Sequence, residues 1–577
     1  MNFPLRLQGL LAALAFAVTP VSAAVITVGE TGAACDATTL EDAITQAGQV
    51  GGHDEIRVTR DVVGGSWHAN LVVDAPDFDL IGGFETCDAS EPQGRTSIVA
   101  RPGATGPVLS LRDAGDVGLV HLDVSGGISG EKDNGAGIEY VGGGLLVLED
   151  VSVTGNGSSI ANTARAAVAV TGTGGAATLR FKDRVSVSDN AVSGIHLQGD
   201  VRFESLGHDV EISRNQGYGL HVDSPSSFDL GGNGKMFAGN ANAGIFVVSA
   251  FTADATPRVS KLYSIDATDP VRVHANGRGA IVMSGNGAGR NPHRLCTKNV
   301  SITGHDAAGG LGGVGLVDID GASVELSMNA GCDFPPEADI ECDAIDCRLF
   351  GDNHRAENGA LVLAHNAAKV SIDRAAFLDN SASSIAVANV GSSASASSLR
   401  LSSSLIARNV LGTQVLGAYN GAAVQAIGLT VVDNEGLFAR SLFAADAGSL
   451  DVRDSIIDQP QPLLAVDGDP ATARLTRLLA RNADGMHDGD TVMLGQPIYA
   501  QGSYRQAPDS PGIDRAPGLG GHDAGDGVRD LDTIEIPDAD GPRDLGAYEL
   551  QVRSLDYVFA DDFEEHALAA RSADVSK

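Results

Sequence analysis

The stretch VSVSDNAVSGIHLQGD (residues 185–200) returns almost unchanged as VEISRNQGYGLHVDS (residues 210–224). V-S-V-S-D-N aligns with V-E-I-S-R-N, and G-I-H-L aligns with G-L-H-V, so His196 and His221 occupy the same point of the two copies. A second copy that begins 25 residues after the first (185 to 210) predicts that each copy is one turn of a repeating structure.

The asparagines of the two copies, Asn190 and Asn215, belong to a repeat that runs through much of the chain. Most of its intervals lie between 25 and 36 residues, and His305 replaces asparagine in VSITGH. The other positions are Asn156, Asn240, Asn276, Asn353, Asn380, Asn409 and Asn434. A period of this size indicates a solenoid, in which every repeat stacks on the one before it.

The repeats are built from β-strands rather than helices. An alternating run precedes each asparagine, a glycine follows it, and a second alternating run comes after the glycine, which is the pattern of strands of about 3–5 residues separated by turns. Turns stacked about 4.8 Å apart bury one side of each strand, as at Val185. We expect Asn190 to lie directly above Asn215 at a bend, and His196 directly above His221.

The sequence resembles the right-handed parallel β-helix proteins of the pectate-lyase-like fold. FDLIGGFETCD (78–88) is similar to the first turn of many secreted bacterial members. DSPGID (509–514) and DADGPRDLGAYE (538–549) resemble the segment called choice-of-anchor Q, with Gly512 where that segment usually carries alanine. The resemblance implies an all-β fold: a right-handed parallel β-helix solenoid with a short N-terminal capping helix and an irregular C-terminal closing segment. It implies no single activity, because this fold hosts lyases, hydrolases and adhesins.

The chain divides into five predicted segments. Residues 1–23 have a basic residue, an apolar run and small residues at the end, which is typical of a secretory signal peptide. CDATTLEDAITQAG (35–48) predicts an amphipathic capping helix that Thr38 or Thr39 caps. The further segments are the N-terminal cap and first coils (24–94), the β-helix repeats (95–470, with an insertion at 327–349), the C-terminal closing segment (471–550) and a tail (551–577). No later stretch reaches the length of a transmembrane helix, so we expect the mature protein to be exported and soluble. We also expect it to be a monomer.

Six cysteines fit an oxidising destination. One expected bridge ties the capping helix to the first coil, and four cysteines near the insertion give two local bridges, for which three connectivities are possible. The expected bridges are Cys35–Cys87, Cys296–Cys332 and Cys342–Cys347. A zinc site is the alternative for these four, although the sequence has no C-x-x-C pair and only two histidines lie nearby.

Polar residues on the second strand of the repeat form a candidate binding column. The apolar neighbours of His196 point inwards, so His196 points outwards, and His221 does the same one turn later. Phe246 and Glu139 occupy the same column. The column is either an exposed stacked ladder that stabilises the sheet or a site for a ligand or metal. Two histidines without a third ligand make a poor zinc site.

A second column lies just before the repeat asparagines and contains Asp189 and Arg214. One interpretation is a surface ion pair between successive turns. The other is catalysis, because a β-helix lyase needs a basic residue that removes a proton beside a uronate carboxylate, and acidic residues that hold a cation. On that interpretation Asp189, Arg214, His196 and His221 are the candidate catalytic residues, although no family motif fixes their roles.

Calcium is the one cofactor that the sequence suggests. The loops HDAGDGVRDLD (522–532) and DADGPRD (538–544) carry aspartates close to glycine, and such loops can fold around calcium, although the full EF-hand spacing is absent. The candidate ligands are Asp538, Asp540 and Asp544.

The formal net charge of −35 bears on the partners. Such a chain repels nucleic acids and other polyanions at long range, so we expect no nucleic-acid partner. We expect a secreted or cell-surface protein that acts in binding or adhesion to an extracellular glycan or matrix. A polysaccharide lyase or glycoside hydrolase is the alternative, so the residues leave open whether the protein is an enzyme.

Overall fold

The computed structural model describes residues 23–30, 35–50, 52–60, 65–160, 165–205, 207–223, 225–248, 258–266, 269–285, 293–307, 317–320, 322–326, 349–355, 359–390, 396–468, 471–487, 490–500, 503–513, 515 and 544–547. Over these residues the predicted fold is confirmed: a right-handed parallel β-helix with one α-helix at its N-terminal end. Among the helices described, none combines the length and the apolar composition that a membrane crossing requires.

Each turn of the β-helix contributes strands to three faces, and each strand pairs in parallel with its equivalents in the neighbouring turns. Face 1 contains Val25–Val28, Asp54–Thr59, Phe78–Phe84, Val117–Ser125, Leu145–Thr154, Ala177–Phe181, Val201–Ser205, Ser227–Leu230, Arg258–Tyr263, His293–Lys298, Ser323–Leu326, Lys369–Asp373, Ser398–Ser402, Ala423–Ile427, Ser449–Asp458 and Thr472–Ala480. Four long strands of face 1 (Val117–Ser125, Leu145–Thr154, Ser449–Asp458, Thr472–Ala480) continue into face 2.

Face 2 is completed by Trp67–His68, Thr96–Val99, Val185–Ser188, Val210–Ser213, Lys235–Ala238, Val271–His274, Val300–Thr303, Leu349–Gly351, Ala376–Leu378, Leu405–Ala407, Thr430–Val432 and Thr491–Leu494. Face 3 contains Leu71–Asp74, Leu109–Ala114, Gly135–Gly142, Ala166–Gly172, Ser193–Gln198, Leu220–Asp223, Ala243–Val248, Gly279–Ser284, Asp306–Ala307, Val317–Asp320, His354–Arg355, Ala360–His365, Ser381–Asn389, Val410–Tyr419, Glu435–Gly436, Leu442–Ala445 and Leu464–Asp467. Ile128–Ser129 and Gly157–Ser158 form a separate pair.

The register of the strands is the one that the repeat predicts. Val185 pairs with Val210 on face 2, and His196 pairs with His221 on face 3. The alternating apolar residues point into the solenoid, where they form one continuous core along its length. Burial of this shared core stabilises turns that could not fold alone.

The predicted asparagines form a buried ladder at the corner between face 2 and face 3. The Nδ2 of Asn190 donates to the Oδ1 of Asn215 at 2.9 Å, and the Nδ2 of Asn215 donates to the Oδ1 of Asn240 at 3.0 Å. Each Nδ2 also donates to a backbone carbonyl, as Asn215 does to Val187 at 3.0 Å. The ladder therefore satisfies polar groups that would be costly to bury alone.

His305 replaces asparagine within this ladder and makes equivalent bonds. Its Nε2 lies 3.3 Å from the Nδ2 of Asn276, and its Nδ1 lies 3.0 Å from the Oδ1 of Asn353. The amide Nδ2 can only donate and the amide Oδ1 can only accept. The neutral imidazole with its proton on Nδ1 meets both requirements, so it serves as an amide analogue.

The capping helix Leu40–Val50 covers the N-terminal end of the core. The Oγ1 of Thr39 accepts a hydrogen bond from the backbone N–H of Asp42 at 3.1 Å, so Thr39 is the cap. The predicted bridge between Cys35 and Cys87 is confirmed, with a Cα–Cα distance of 5.4 Å. Cys296 is disulfide-bonded. Cys332, Cys342 and Cys347, and with them the two predicted local bridges and the cysteine-rich part of the insertion, lie outside the described residues.

The C-terminal segment folds back along the outside of face 2. Tyr499 and Tyr504 pack on the outward-facing side chains of that face. The backbone N–H of Leu545 donates to the carbonyl of Gly512 at 3.0 Å, so the DSPGID stretch meets the LGA part of DADGPRDLGAYE. Parallel pairing extends past residue 470 to the strand Thr491–Leu494. The predicted segment boundaries stay predictions.

One lysine lies inside the solenoid. Lys235 pairs with Val210 in a core-facing column and is 1% exposed, and its Nζ donates to the Oγ of Ser205 at 3.1 Å and to the carbonyl of Gly207 at 2.8 Å. Burial lowers the pKa of Lys235 to about 7, although the nearby charge of Asp183 acts in the opposite direction.

Substituting His305 by asparagine is expected to reduce acid sensitivity. Burial lowers the pKa of His305 to about 4, with the neighbouring His274 acting in the same direction. The unfolded chain, in which a histidine pKa is about 6.5, therefore takes up this proton first, and stability falls as the pH drops from about 6.5 to about 4. Asparagine takes up no proton in this range, so the urea midpoint of the variant should fall less as the pH drops from about 6.5 to about 4. The exposed His68→Asn variant is the control, and an unchanged slope in His305→Asn contradicts the ladder role.

Substituting Lys235 by methionine is expected to remove a stability gain at alkaline pH. The folded pKa is about 7 and the unfolded value is about 10.4, so the unfolded chain binds more protons between these values and stability rises with pH there. Urea midpoints measured from about pH 7 to about pH 10 should rise more in the unsubstituted protein than in Lys235→Met. The exposed Lys369→Met should retain the full rise, and equal rises in all three proteins would show that Lys235 is not the titrating group.

Candidate functional site

The corner before the asparagine ladder brings Asp189 and Arg214 together. The Nε of Arg214 donates to Oδ1 of Asp189 at 2.8 Å, and Nη2 donates to Oδ2 at 3.0 Å. Each side chain is 55% exposed. Both residues have a positive φ, 56° for Asp189 and 51° for Arg214. The predicted ion pair between successive turns is present, and the corner conformation gives these positions a structural role.

The same corner repeats along the solenoid with other residues. Gly239 takes the corner position one turn after Arg214 with a φ of 62°, and Arg408 pairs with Asp379 through two hydrogen bonds of 3.0 and 2.9 Å. A left-handed backbone conformation therefore recurs immediately before each of these ladder positions. Glycine is the residue that adopts it without steric cost.

His196 and His221 form the predicted stacked ladder on face 3. Their ring centroids are 4.4 Å apart and the ring planes differ by 15°. The same column continues to Phe246 in one direction and, through Ala169, to Glu139 in the other. The column is thus the predicted one, with alanine separating the carboxylate from the two imidazoles.

The predicted exposure of the two histidines is wrong. His196 is 3% exposed and His221 is 8% exposed, although both point away from the solenoid core. The reason is local packing: the ring of Tyr218 lies 5.3 Å from that of His221, Phe246 lies 5.2 Å from it, and Asp223 contacts both imidazoles.

Asp223 is the residue that the sequence argument missed. Its Oδ2 lies 2.9 Å from the Nε2 of His196, and its Oδ1 lies 3.2 Å from the Nε2 of His221. A carboxylate only accepts hydrogen bonds, so His196 donates from Nε2 in the shorter contact. The signal was present in H-V-D, because residues two apart on a strand share one side of the sheet.

The electrostatics of this cluster follow from burial and from the shared carboxylate. Burial lowers the pKa of His221, which opposes the effect of Asp223, so its imidazole is the neutral form at neutral pH. Burial by itself would raise the pKa of Asp223, but the two imidazoles lower it below its ordinary value. The cluster is an ionised carboxylate that bridges two buried rings.

The N-terminal end of the column is a second buried polar group. Glu139 accepts hydrogen bonds from the hydroxyl of Ser110 at 3.0 Å and from the backbone N–H of Asn134 at 2.8 Å. The side chain of Asn134 also donates to Gln198 at 3.2 Å and accepts from the buried Arg165 at 2.8 Å. These bonds hold the loop before Gly135–Gly142 beside the histidine strand.

Aromatic rings adjoin the cluster at its C-terminal end. Tyr218 and Phe246 are both half-buried and stack with centroids 4.3 Å apart and planes within 8°. We define the ladder face by the side chains of Glu139, His196, His221, Asp223, Tyr218 and Phe246. It combines acceptors, donors and flat apolar rings on one side of the solenoid.

The predicted calcium ligands are only partly within the described residues. Asp544 is buried beside Leu545 in the C-terminal segment. Asp538 and Asp540 lie outside the described residues, so the calcium site stays a prediction. Over the part of the chain that the structure describes, one group of three histidine, cysteine, aspartate or glutamate side chains is placed to hold a metal ion. It consists of His196, His221 and Asp223.

Fold and site together define a parallel β-helix protein with a polar and aromatic ladder on one outer face. No protein-family model and no curated protein matches the chain. Among solved structures, the chain is similar to PfbA, a surface adhesin of Streptococcus pneumoniae, with 9% sequence identity and a TM-score of 0.26 over 77% of this chain and 89% of that one. A similarity of this degree carries no conclusion about ligand or activity.

Two substitutions of Arg214 test the conformational role of the corner. Arg214→Gly loses an exposed ion pair worth up to about 1 kcal/mol but relieves the left-handed conformation, which costs a non-glycine residue about 1 kcal/mol or more. Arg214→Ala loses the pair without that relief. We expect Arg214→Gly to be the more stable variant by about 1 kcal/mol in denaturant unfolding. Equal stability of the two variants would contradict the corner's conformational role.

Proposed function

We propose that the protein is an exported β-helix protein that binds an extracellular glycan or matrix component through the ladder face. The observation that carries the proposal is the register of this face, which places a carboxylate, an alanine, two imidazoles and the ring of Phe246 in one column along successive turns. The ring of Tyr218 stacks on Phe246 at the end of this column. Glycan hydroxyls need donors and acceptors, and the apolar side of a sugar packs on flat rings. The accessible groups of the ladder face supply both: the carboxylate of Asp223, which is 27% exposed, and the half-buried Tyr218, which has a hydroxyl and a flat ring.

The charge of the chain selects the class of glycan. The formal net charge of −35 slows the approach of polyanions, and the carboxylates of Glu139 and Asp223 lie in the ladder face itself. Arg278 is exposed and close enough to influence Tyr218, which adds one cation at the aromatic end. A neutral glycan is therefore the ligand that these groups favour.

Export and retention belong to the same proposal. Residues 1–23 carry the pattern of a signal peptide, and a disulfide such as Cys35–Cys87 persists in an oxidising compartment. The C-terminal segment, with its resemblance to choice-of-anchor Q, is the part that we assign to surface association. The contact between Gly512 and Leu545 supports a common role for its two motif stretches.

Catalysis on a polysaccharide is the second candidate. The observation that favours it is the contact of 2.9 Å between His196 and Asp223, because a carboxylate that orients an imidazole is a common arrangement for a general base. Against it, His196 is almost completely buried, so substrate access would require the rings of the ladder face to move.

Binding to immobilised neutral and uronate-containing glycans tests the proposal. We expect binding to a neutral glycan, and we expect Tyr218→Ala to weaken it about tenfold, because an aromatic ring that packs against the ligand contributes about 1.4 kcal/mol or more. Phe443→Ala is the matched control, since Phe443 lies in the same column near the C-terminal end, next to Tyr419 rather than to histidines.

The same samples distinguish binding from catalysis. Incubation with each glycan, with and without calcium, is followed by ultraviolet absorbance of unsaturated uronates and by reducing-end assays. New product that disappears in Asp223→Asn would replace the binding proposal by the enzymatic one. Binding that Phe443→Ala weakens as much as Tyr218→Ala would reject the ladder face as the site.

A further inference from the structure

Three metal-ligating side chains converge on the ladder face. One ligand atom from each of His196, His221 and Asp223 can be chosen so that all three lie within 4.8 Å of one another. Two strands supply them: His196 from Ser193–Gln198, and the other two from Leu220–Asp223. The ladder register fixes the strands against each other, so the backbone under the three side chains is preorganised.

Three ring nitrogens of the two imidazoles make no hydrogen bond with the described residues. The Nδ1 atoms of His196 and His221 are buried and have no hydrogen-bond partner among the described residues. The Nε2 of His221 lies 3.2 Å from Asp223 without the geometry of a hydrogen bond. Buried polar atoms without partners cost free energy, and the cost is offset when a ligand occupies them.

We propose that His196, His221 and Asp223 bind a transition-metal dication, with Zn²⁺ as the representative ion. Two imidazole nitrogens and one carboxylate oxygen suit zinc, cobalt or nickel, whereas calcium and magnesium prefer oxygen ligands alone. The neutral imidazole is the ligating form. Metal entry at Nε2 of His196 requires the proton that this nitrogen now donates to Asp223 to move to Nδ1, so the imidazole stays neutral and no proton is lost.

Binding requires a defined local movement. Ligand atoms around a tetrahedral zinc ion lie about 3.4 Å apart, given metal–ligand distances of about 2.1 Å. The Nε2 atoms of His196 and His221 already lie 2.9 and 3.2 Å from the carboxylate oxygens of Asp223. The main movement is therefore in the two stacked rings, which must tilt out of their nearly parallel arrangement so that one ion lies in the plane of both. Asp223, whose side chain is 27% exposed, gives the ion its path from solvent. Three protein ligands leave a fourth position open for water or for a hydroxyl of a bound molecule.

Calorimetry with Zn²⁺ on the full chain without an added histidine tag tests the proposal. We expect one zinc ion per chain and an affinity that falls at least about tenfold in Asp223→Asn and in His221→Gln. Co²⁺ provides an independent readout, because it should give visible absorption typical of nitrogen and oxygen ligands in low-coordinate geometry. Calcium should not compete.

His53→Ala is the matched control. His53 is also held between two carboxylates, at 2.6 Å from Asp77 and 3.1 Å from Asp79, but it is half-exposed, and among the described residues no second histidine joins it in a metal-ligating group. This variant should bind zinc as the unsubstituted protein does. Circular dichroism shows whether Asp223→Asn and His221→Gln retain their strand content, and a folded variant that binds zinc unchanged overturns the proposal. Absence of stoichiometric zinc binding in the unsubstituted protein overturns it as well, whether or not a glycan binds.

Discussion

The buried asparagine ladder is the constraint on which the rest of the structure depends. Its amides are bonded to each other across turns of very different length: 25 residues separate Asn190 from Asn215, 36 separate Asn240 from Asn276, and 48 separate His305 from Asn353. Side-chain amides carry a donor and an acceptor, so a row of them satisfies itself in only one register. Extra residues are therefore accommodated elsewhere in the turn, and the strands on either side of the ladder stay aligned.

Alignment by the ladder is what makes face 3 a candidate binding surface. Because the strand Ser193–Gln198 begins three residues after Asn190, every outward position on it has a fixed neighbour in the next turn. Side chains of unlike chemistry are then placed in line, and each is packed by the one above it. His221 is buried for this reason, between His196 on one side and Phe246 on the other.

The charged corners show why most ionic residues of this chain need no functional explanation. At the corner between face 1 and face 2, Arg95, His121 and Arg184 all converge on Asp150. Burial of Asp150 opposes its ionisation, but these three partners lower the pKa of Asp150 to about 2. The ion pairs of Asp189 with Arg214 belong to the same class, because they connect successive turns at positions where the backbone is left-handed. Charged residues on the faces of the solenoid are therefore better indicators of a functional site than charged residues at its corners.

The sequence alone predicted the position of a residue wherever that position follows from the repeat. The asparagine positions, the pairing of His196 with His221 and the bridge between Cys35 and Cys87 follow from spacing or from family resemblance, because stacking turns every repeated position into a column. The sequence narrows the helix cap to Thr38 or Thr39, and the structure selects Thr39. The spacing of the repeat predicts which residues are neighbours in adjacent turns, but it does not predict how deeply each side chain is buried.

Only the tertiary structure decided which side chains are buried and which side chains from different columns come into contact. It buried the two histidines that were expected at the surface, placed Lys235 in the core, and brought Asp223 to both imidazoles. These outcomes depend on how neighbouring side chains fill space around a position, and no periodicity of the chain records that. The repeat therefore determines the column in which each residue lies, while side-chain packing determines its burial, its protonation state and its contacts.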